Sequence, residues 1–360
     1  MKAILFYRPG EARLEEIPTP QPGRGELLVK IGTALTCGTD LKTYRRGHPT
    51  MLKNKQLPVP FGHEFAGTVV AVGADVETFS PGQRVVAVNS APCGSCYYCL
   101  IHRESLCENL EFLNGAYAEY IVIPERIVRK NTYLIPDELS FGEAALLEPL
   151  ACAVHGVEEI NVQLGDTVVV NGAGPIGLMF VNIATLRGAR VISCDLSEER
   201  LAAARYFGAV ATINAAQVAD QVAAVRALTP GGRGADIAIE AVGQPAVWEK
   251  TIAMVRKGGQ ALLFGGASEG TSITVDTVQL HYSELTIKGV FHHTPRHVRL
   301  AFDLICSGQV RARDYISANK PLTETIEALE LIGQQHGIKY AIVPPEGTPA
   351  PLGALALSSS

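Results

Sequence analysis

The chain of 360 residues is longer than one typical hydrophobic core requires, and its length suits two domains. Hydrophobic residues make up 47% of it and charged residues 19%, so we expect a soluble globular protein with sizeable cores. The formal net charge of -5 and the lack of an apolar run of about 18 residues give no reason to expect nucleic acid or a membrane as a partner. The N-terminal segment lacks the long apolar stretch and cleavage site of a signal peptide, so the sequence predicts a cytoplasmic protein.

Residues 1–150 predict a compact β-rich domain that is partly barrel-like. Short strand patterns recur there at even spacing and are separated by Gly, Pro and Asn; they include GELLVKIGTALT, EFAGTVVAVG, QRVVAV and AEYIVIP. Possible zinc ligands are scattered through the same region, namely Cys37, His63, Glu64 and Glu148. A thiolate, an imidazole and carboxylates from separate loops suit a zinc site with a position open for substrate. Their wide spacing does not by itself show that they converge.

Four cysteines lie together in one short segment, which reads Cys93-Gly-Ser-Cys96-Tyr-Tyr-Cys99 and continues to Cys107. Gaps of this length let thiolates converge on one ion from a tight loop, which favours a closed structural zinc site. An iron–sulfur cluster is the competing interpretation, but ferredoxin-like runs end in Cys-Pro, and Glu108 follows Cys107 here. Four unrelated buried thiols are the third interpretation, and the density of cysteines argues against it.

Residues 151–285 change in character, because short apolar strands alternate with helical stretches. This alternation predicts a doubly wound parallel sheet that is covered on both faces. Residues 286–343 hold a strand candidate, two helix candidates and a last strand, and we expect them to return to the first domain. Residues 344–360 are rich in Pro, Gly, Ala and Ser, so we expect a flexible tail.

A glycine-rich loop follows the first strand of this second region and opens a helix. It reads Gly172-Ala-Gly174-Pro175-Ile176-Gly177, and the next strand ends in Asp195. The first glycine permits the tight turn, the second lets the backbone approach a pyrophosphate, and the third lets the helix pack close to the strand. A carboxylate at Asp195 would accept hydrogen bonds from the adenosine ribose and repel a 2′-phosphate, so the sequence favours NAD over NADP. The other interpretation of Asp195 is a helix cap. Arg200 could accommodate a phosphate or pack over the adenosine, and Val242 follows a later strand that we expect to flank the cofactor.

Together these motifs resemble the zinc-containing medium-chain dehydrogenase/reductase superfamily over residues 1 to about 343. The likeness includes Gly62-His63-Glu64, the four cysteines, the glycine-rich loop and the order in which they occur. Glu148, in the stretch LLEPLACAVHG, resembles the sorbitol (polyol) dehydrogenase branch, because alcohol dehydrogenases carry a cysteine at that place. The stretch from Cys37 to Tyr44 resembles threonine 3-dehydrogenases. The resemblance implies an α/β protein with a GroES-like catalytic domain and a Rossmann domain.

The resemblance also implies roles for individual residues. Cys37 and His63 are expected to bind a catalytic zinc, with Glu64 and Glu148 as direct or water-bridged ligands, and the four clustered cysteines a structural one. Asp40 is expected to orient the ring of His63, and Thr39 to pass on the proton of the substrate. The implied reaction oxidises a secondary alcohol of a polyol-like small molecule with NAD, and relatives suggest a homodimer or homotetramer.

One departure from the family concerns Lys42, which stands where many relatives carry a histidine. Lys42 could relay a proton, bind an anionic group or be a solvated surface residue. His292 and His293 could contact substrate or have structural or surface roles. Tyr44 and His48 lie near Cys37 in the sequence, and Tyr44 could line the substrate pocket. His155 is expected to pack on a helix, and Cys152, Cys194 and Cys306 to be buried apolar side chains.

The alternative functions belong to two classes. The alternative enzymes are threonine 3-dehydrogenase, butanediol dehydrogenase and an amino- or phospho-sugar alcohol dehydrogenase. The alternative of another class is a non-catalytic dinucleotide-binding protein.

Overall fold

The computed structural model describes residues 1–47 and 56–345. Of the tail expected over residues 344–360, only residues 344 and 345 are among the described residues. His48 lies outside the described residues. The strands are β1 Lys2–Arg8, β2 Glu11–Glu16, β3 Leu27–Leu35, β4 Val59–Pro60, β5 Phe65–Val72, β6 Arg84–Ala87, β7 Ser90–Ala91, β8 Glu111–Phe112, β9 Tyr120–Ile123, β10 Thr132–Leu134, β11 Thr167–Asn171, β12 Arg190–Asp195, β13 Ala211–Asn214, β14 Ala235–Glu240, β15 Val255–Leu263, β16 Thr286–Gly289, β17 Ile316–Pro321 and β18 Lys339–Val343. The α-helices are Gly38–Arg46, Tyr97–Leu100, Glu125–Asn131, Phe141–Ala145, Leu147–Glu159, Pro175–Leu186, Glu198–Tyr206, Gln221–Ala227, Pro245–Ala253, Thr277–Tyr282, Pro295–Cys306 and Thr325–Gly333.

The β-rich part is built around a seven-stranded sheet in the order β10-β6-β5-β3-β18-β17, with β9 also paired to β3. A three-stranded sheet, β2-β1-β4, packs with it around one core. Strand β18 comes from the far end of the chain and pairs antiparallel with β3. The C-terminal region therefore returns to the first part of the chain.

The second part is a six-stranded sheet in which every pair is parallel, in the order β13-β12-β11-β14-β15-β16. Numbered within the sheet, this order is 3-2-1-4-5-6, that of a Rossmann fold. Val168 and Val170 of β11 face one core while Val169 faces another, because successive side chains of a strand point to opposite faces. Burial on both faces explains why these strands are apolar throughout.

Strand β16 lies beyond residue 285, where the sequence predicts that the parallel-sheet region ends. Residues from 286 onwards are predicted from the sequence to belong to the returning segment, but Thr286–Gly289 pairs with β15 and extends the parallel sheet. The apolar alternation of this short strand does not specify which sheet it joins. The chain therefore leaves the parallel sheet only after Gly289.

The helix Leu147–Glu159 joins the two parts, since it packs against Pro175–Leu186 of the second part and also contacts β6 of the β-rich part. No helix in the described ranges combines the length and apolar character needed to cross a membrane.

Candidate active site

The glycine-rich loop has the backbone geometry that its sequence predicts. Gly172 has φ 107°, a conformation that residues with a side chain rarely adopt. A Cβ on Gly177 would lie 1.8 Å from the carbonyl oxygen of Gly172, so only glycine fits there. A Cβ on Gly174 would meet only the guanidinium of Arg200, at 3.8 Å, which leaves that side of the loop open to a ligand. The helix that starts at Pro175 then presents free N–H groups that favour a phosphate.

Asp195 ends β12 beside this loop and supports it. Its Oδ2 accepts from the backbone N–H of Ala173 at 2.6 Å, and its Oδ1 accepts from that of Ser197 at 2.9 Å. The cap of the next helix is Ser197, whose hydroxyl accepts from Arg200 N–H, so the helix-cap interpretation of Asp195 does not describe this contact. Arg200 donates to the carbonyl of Ile332 at 3.1 Å, and burial lowers the pKa of its guanidinium.

Val242 is held against the loop by a buried glutamate that ends β14. Glu240 accepts from the N–H groups of Val242 and Gly243 at 2.8 and 2.7 Å, and from Gly265 N–H at 3.1 Å. Burial raises the pKa of Glu240, and these three donors oppose the rise. The turn after β14 is thus fixed at the wall of the cleft.

A cleft of about 610 Å³ runs between the two parts of the chain. Its walls carry both sets of predicted residues, including Cys37, Thr39, Glu64, Gly172, Gly174, Pro175, Ile176, Asp195, Arg200 and Val242. Lys42 also lines it and donates to the carbonyl of Gly266 at 3.3 Å. Burial, helped by Arg46, lowers the pKa of Lys42, so this lysine is not a freely solvated one. Tyr44 instead donates to the carbonyl of Gly10 in the β-rich part.

Three predicted metal ligands lie together at the inner end of the cleft. The donor atoms of Cys37, His63 and Glu64 are within 4.8 Å of one another. Cys37 caps the helix Gly38–Arg46, and its Sγ accepts from Thr39 N–H at 3.4 Å. Because a helix N-terminus favours negative charge, this position suits a thiolate ligand.

His63 is buried and oriented by a hydrogen-bond chain. Its Nδ1 lies 2.9 Å from Asp40 Oδ1, and the other oxygen of Asp40 accepts from the Tyr117 hydroxyl at 2.7 Å. The carboxylate fixes the ring so that Nε2 is left for a metal, the usual support of a metal-binding histidine. Burial alone would lower the pKa of His63, but Asp40 and Cys37 raise it well above the usual value.

Glu64 has a partner that the sequence analysis did not foresee. Lys339, from β18, donates to both carboxylate oxygens at 2.6 and 2.8 Å and to the carbonyl of Thr36 at 2.7 Å. Both side chains are buried, and the Glu64 carboxylate raises the pKa of Lys339 although burial lowers it. The available signal was a lone lysine in the otherwise apolar strand KYAIV.

Glu148 belongs to a second group of donors, formed with Cys152, His292 and His293, whose ligand atoms also lie within 4.8 Å of one another. Burial raises the pKa of Glu148 to about 7, and the nearby charge of His63 opposes the rise. Burial also lowers the pKa of His292 to about 3, so its ring is neutral. Residues 148 and 152 are four apart on one helix and therefore share a face, a spacing that the sequence analysis did not use.

The four clustered cysteines form a compact sulfur site. Their Sγ atoms lie 4.0 Å (Cys93 to Cys99), 3.6 Å (Cys96 to Cys99) and 3.9 Å (Cys96 to Cys107) apart. A tetrahedral zinc with bonds of about 2.3 Å needs sulfurs about 3.8 Å apart, so the site fits zinc. Backbone N–H groups of Ser95 and Cys96 lower the pKa of Cys93 to about 5.

Of the three remaining cysteines and His155, all but one cysteine are buried. Cys152 and Cys194 are buried as expected, but Cys306 is exposed, so that part of the prediction is wrong. Cys306 is the last residue of its helix, where the amphipathic pattern no longer faces the core. His155 is buried, stacks on His297 and has Nδ1 2.8 Å from the carbonyl of His292.

Comparisons with known proteins agree with this architecture. Residues 23–137 match the family model of the alcohol dehydrogenase GroES-like domain, and residues 175–307 match that of the zinc-binding dehydrogenases. The chain is 33% identical to the sorbitol dehydrogenase of Bacillus subtilis, over 92% of this chain and 93% of the relative. It is 34% identical to the L-threonine 3-dehydrogenase of Chromobacterium violaceum, over 81% and 84% of the two chains.

A solved structure agrees over a similar length. A protein of Sinorhizobium meliloti, described as a zinc-binding dehydrogenase and bound to NADP, is 30% identical with a TM-score of 0.85. The alignment covers 95% of this chain and 99% of that one. The expected GroES-like and Rossmann architecture is therefore confirmed.

Proposed function

Because this chain belongs to the zinc-binding dehydrogenase family with a GroES-like alcohol dehydrogenase domain, we propose that it oxidises a secondary alcohol of a polyol-like substrate and transfers the hydride to NAD. The coarser activity, a zinc-dependent oxidoreductase with a nicotinamide dinucleotide, is that of the family. The observation that carries the proposal is the shared cleft, where Cys37 and Glu64 line the same space as Gly174 and Asp195.

The proposed reaction assigns separate tasks to the residues at the inner end of the cleft. Cys37 and His63 would hold a zinc ion, which when bound acts as a Lewis acid on the substrate hydroxyl. Asp40 keeps the His63 ring in place. Thr39, beside Cys37 on the cleft wall, would accept the proton of the hydroxyl and pass it outward. Lys42, three residues further along the same helix, also lines the cleft and would be the next group of that relay.

The choice of NAD rests on Asp195 and Arg200. Asp195 places a buried carboxylate at the end of β12, where it would repel a 2′-phosphate and accept from a ribose hydroxyl. Arg200, the residue that could accommodate such a phosphate, instead donates to the carbonyl of Ile332.

The choice of substrate rests on the carboxylates. Glu148 stands where a cysteine would give the metal a second sulfur, and an oxygen ligand makes the site harder. The relative from Bacillus subtilis is named sorbitol dehydrogenase, and sorbitol is a polyol. L-threonine is a second candidate, since a relative of similar identity is a threonine 3-dehydrogenase.

We further propose that Cys93, Cys96, Cys99 and Cys107 hold a structural zinc, that Glu148 can ligate the catalytic ion, and that the protein is a cytoplasmic homodimer or homotetramer. The alternative, a non-catalytic dinucleotide-binding protein, is tested by the same experiment as the proposed activity.

The test is NADH formation with a panel of polyols, 2,3-butanediol, sugar-alcohol phosphates and L-threonine. We expect activity on polyols that is lost in Cys37→Ala and His63→Ala, with NADH binding retained. Cofactor binding without oxidation of any alcohol would favour the non-catalytic alternative. Oxidation of threonine alone would select the second candidate.

A further inference from the structure

Three donor side chains converge on one oxygen of Glu148. Its Oε1 lies 3.7 Å from Cys152 Sγ, 3.9 Å from His292 Nδ1 and 3.9 Å from His293 Nε2. All four side chains are at least nine-tenths buried. Sulfur, two imidazole nitrogens and a carboxylate oxygen that converge in a buried place form a donor set suited to Zn²⁺ or a related divalent ion.

The backbone at the two histidines is bent to allow this convergence. His292 has φ 60°, a left-handed conformation that is uncommon for a residue with a side chain. In an extended segment, consecutive side chains point to opposite sides. Here the rings of His292 and His293 lie on one side, with centroids 3.9 Å apart. Strained backbone of this kind is held only where surrounding contacts fix it, and it clusters at functional sites.

Contacts behind the rings fix their orientation. Ser90 Oγ lies 2.6 Å from His292 Nε2, which leaves Nδ1 directed at the cluster. The carbonyl of His292 is held by His155 Nδ1 at 2.8 Å. A metal-binding histidine is normally oriented through its other nitrogen in this way.

The buried ring of His293 indicates that a ligand binds at this cluster. Within the described residues, neither of its ring nitrogens has a hydrogen-bond partner, although the side chain is 1% exposed. Buried polar groups without partners are rare, because each loses its hydration without compensation. A cation bound at Nε2 would satisfy the ring.

The distances fit an ion at the centre of the cluster. Tetrahedral ligands at about 2.0–2.3 Å from zinc lie about 3.3–3.8 Å from one another. The sulfur–oxygen contact of 3.7 Å falls within that range, and the two nitrogen–oxygen contacts of 3.9 Å would shorten by about half an ångström when an ion binds.

We propose that Cys152, His292, His293 and the Oε1 of Glu148 form a second divalent-metal position beside the catalytic one. Glu64 is occupied by Lys339, so Glu148 is the carboxylate available to the Cys37–His63 pair. Glu148 would hold the new ion through Oε1, and its other oxygen would remain available to that pair. This inference rests on the proposed function in one respect, that Cys37 and His63 hold the catalytic ion.

The experiment counts metal ions in the full-length protein. The purified chain is stripped with a chelator and titrated with Co²⁺, and bound metal per chain is measured by mass spectrometry together with thiolate-to-cobalt absorption. We expect three ions per chain in the unaltered protein and two in Cys152→Ala and His293→Gln, with part of the thiolate absorption lost in Cys152→Ala. The matched control is Cys306→Ala, which removes an exposed thiol and should still bind three. NADH binding shows that each variant is folded.

The outcomes separate the two proposals. Saturation at two ions in the unaltered protein, or three ions in both cluster variants, would overturn the second position. If the count is two and Cys37→Ala abolishes alcohol oxidation, the proposed function stands and this inference fails. If the count is three and no alcohol is oxidised, the inference stands and the proposed function fails.

Discussion

Replacing Lys339 with methionine should destabilise the protein strongly, because it leaves the buried carboxylate of Glu64 without its positive partner. The ammonium of Lys339 lies at 2.6 and 2.8 Å from the oxygens of Glu64, and the side chains are 1% and 0% exposed. At about 2.7 Å and an effective dielectric constant of about 20, the attraction is about 6 kcal/mol. Breaking a buried pair from one side typically costs about 3–5 kcal/mol. We therefore expect a loss of that size in the free energy of unfolding.

The measurement is urea denaturation of the zinc-loaded protein, followed by fluorescence and far-UV circular dichroism. The matched control is Lys320→Met, which breaks a more exposed pair with Glu324 at 2.7 Å and should cost far less. A second control is Glu64→Gln combined with Lys339→Met, which removes the stranded charge and should recover part of the loss. Equal effects of Lys339→Met and Lys320→Met would refute the reasoning, since burial is what distinguishes the two pairs.

Three further predictions concern the cofactor, the sulfur site and pH. Asp195→Asn should raise the ratio of NADP to NAD activity about tenfold or more in a steady-state assay. The control is Asp236→Asn, because Asp236 also accepts from a backbone N–H but lies at the opposite end of the sheet. This control should leave the ratio unchanged. Cys99→Ser should remove one zinc per chain and lower the melting temperature, and a full zinc count would contradict the assignment of that site. Burial and the neighbouring His155 lower the pKa of His297 to about 4, below the unfolded value of about 6.5. The unfolded chain therefore binds more protons between those values, so stability is lost as pH falls from about 6.5 to 4. His297→Gln should lose less stability than the unaltered protein over that range in urea titrations, and parallel pH curves would contradict this.

The features predicted best from the sequence are those whose residues are neighbours in the chain. The turn at Gly172 and the close packing at Gly177 follow from the lack of a side chain at each position. The convergence of Cys93, Cys96 and Cys99 follows from gaps of two residues. In both motifs the local backbone alone determines the geometry, so no knowledge of the tertiary fold is needed.

Features that join distant parts of the chain were missed for a physical reason. Lys339 and Glu64 are 275 positions apart, and they meet only because β18 pairs with β3. The left-handed backbone at His292 is equally invisible in the sequence, since most residues with φ near 60° are glycine or asparagine. Pairing of distant strands and local strain both depend on the whole fold, which periodicity does not encode.

The different surroundings of the two glutamates determine which of them can serve a metal. A buried carboxylate needs a positive partner, and Glu64 has one within hydrogen-bond distance in Lys339, whereas the groups nearest to Oε1 of Glu148 are a sulfur and two imidazoles. The ammonium of Lys339 therefore compensates the charge of Glu64, and it leaves Glu148 as the buried carboxylate that is available to a metal.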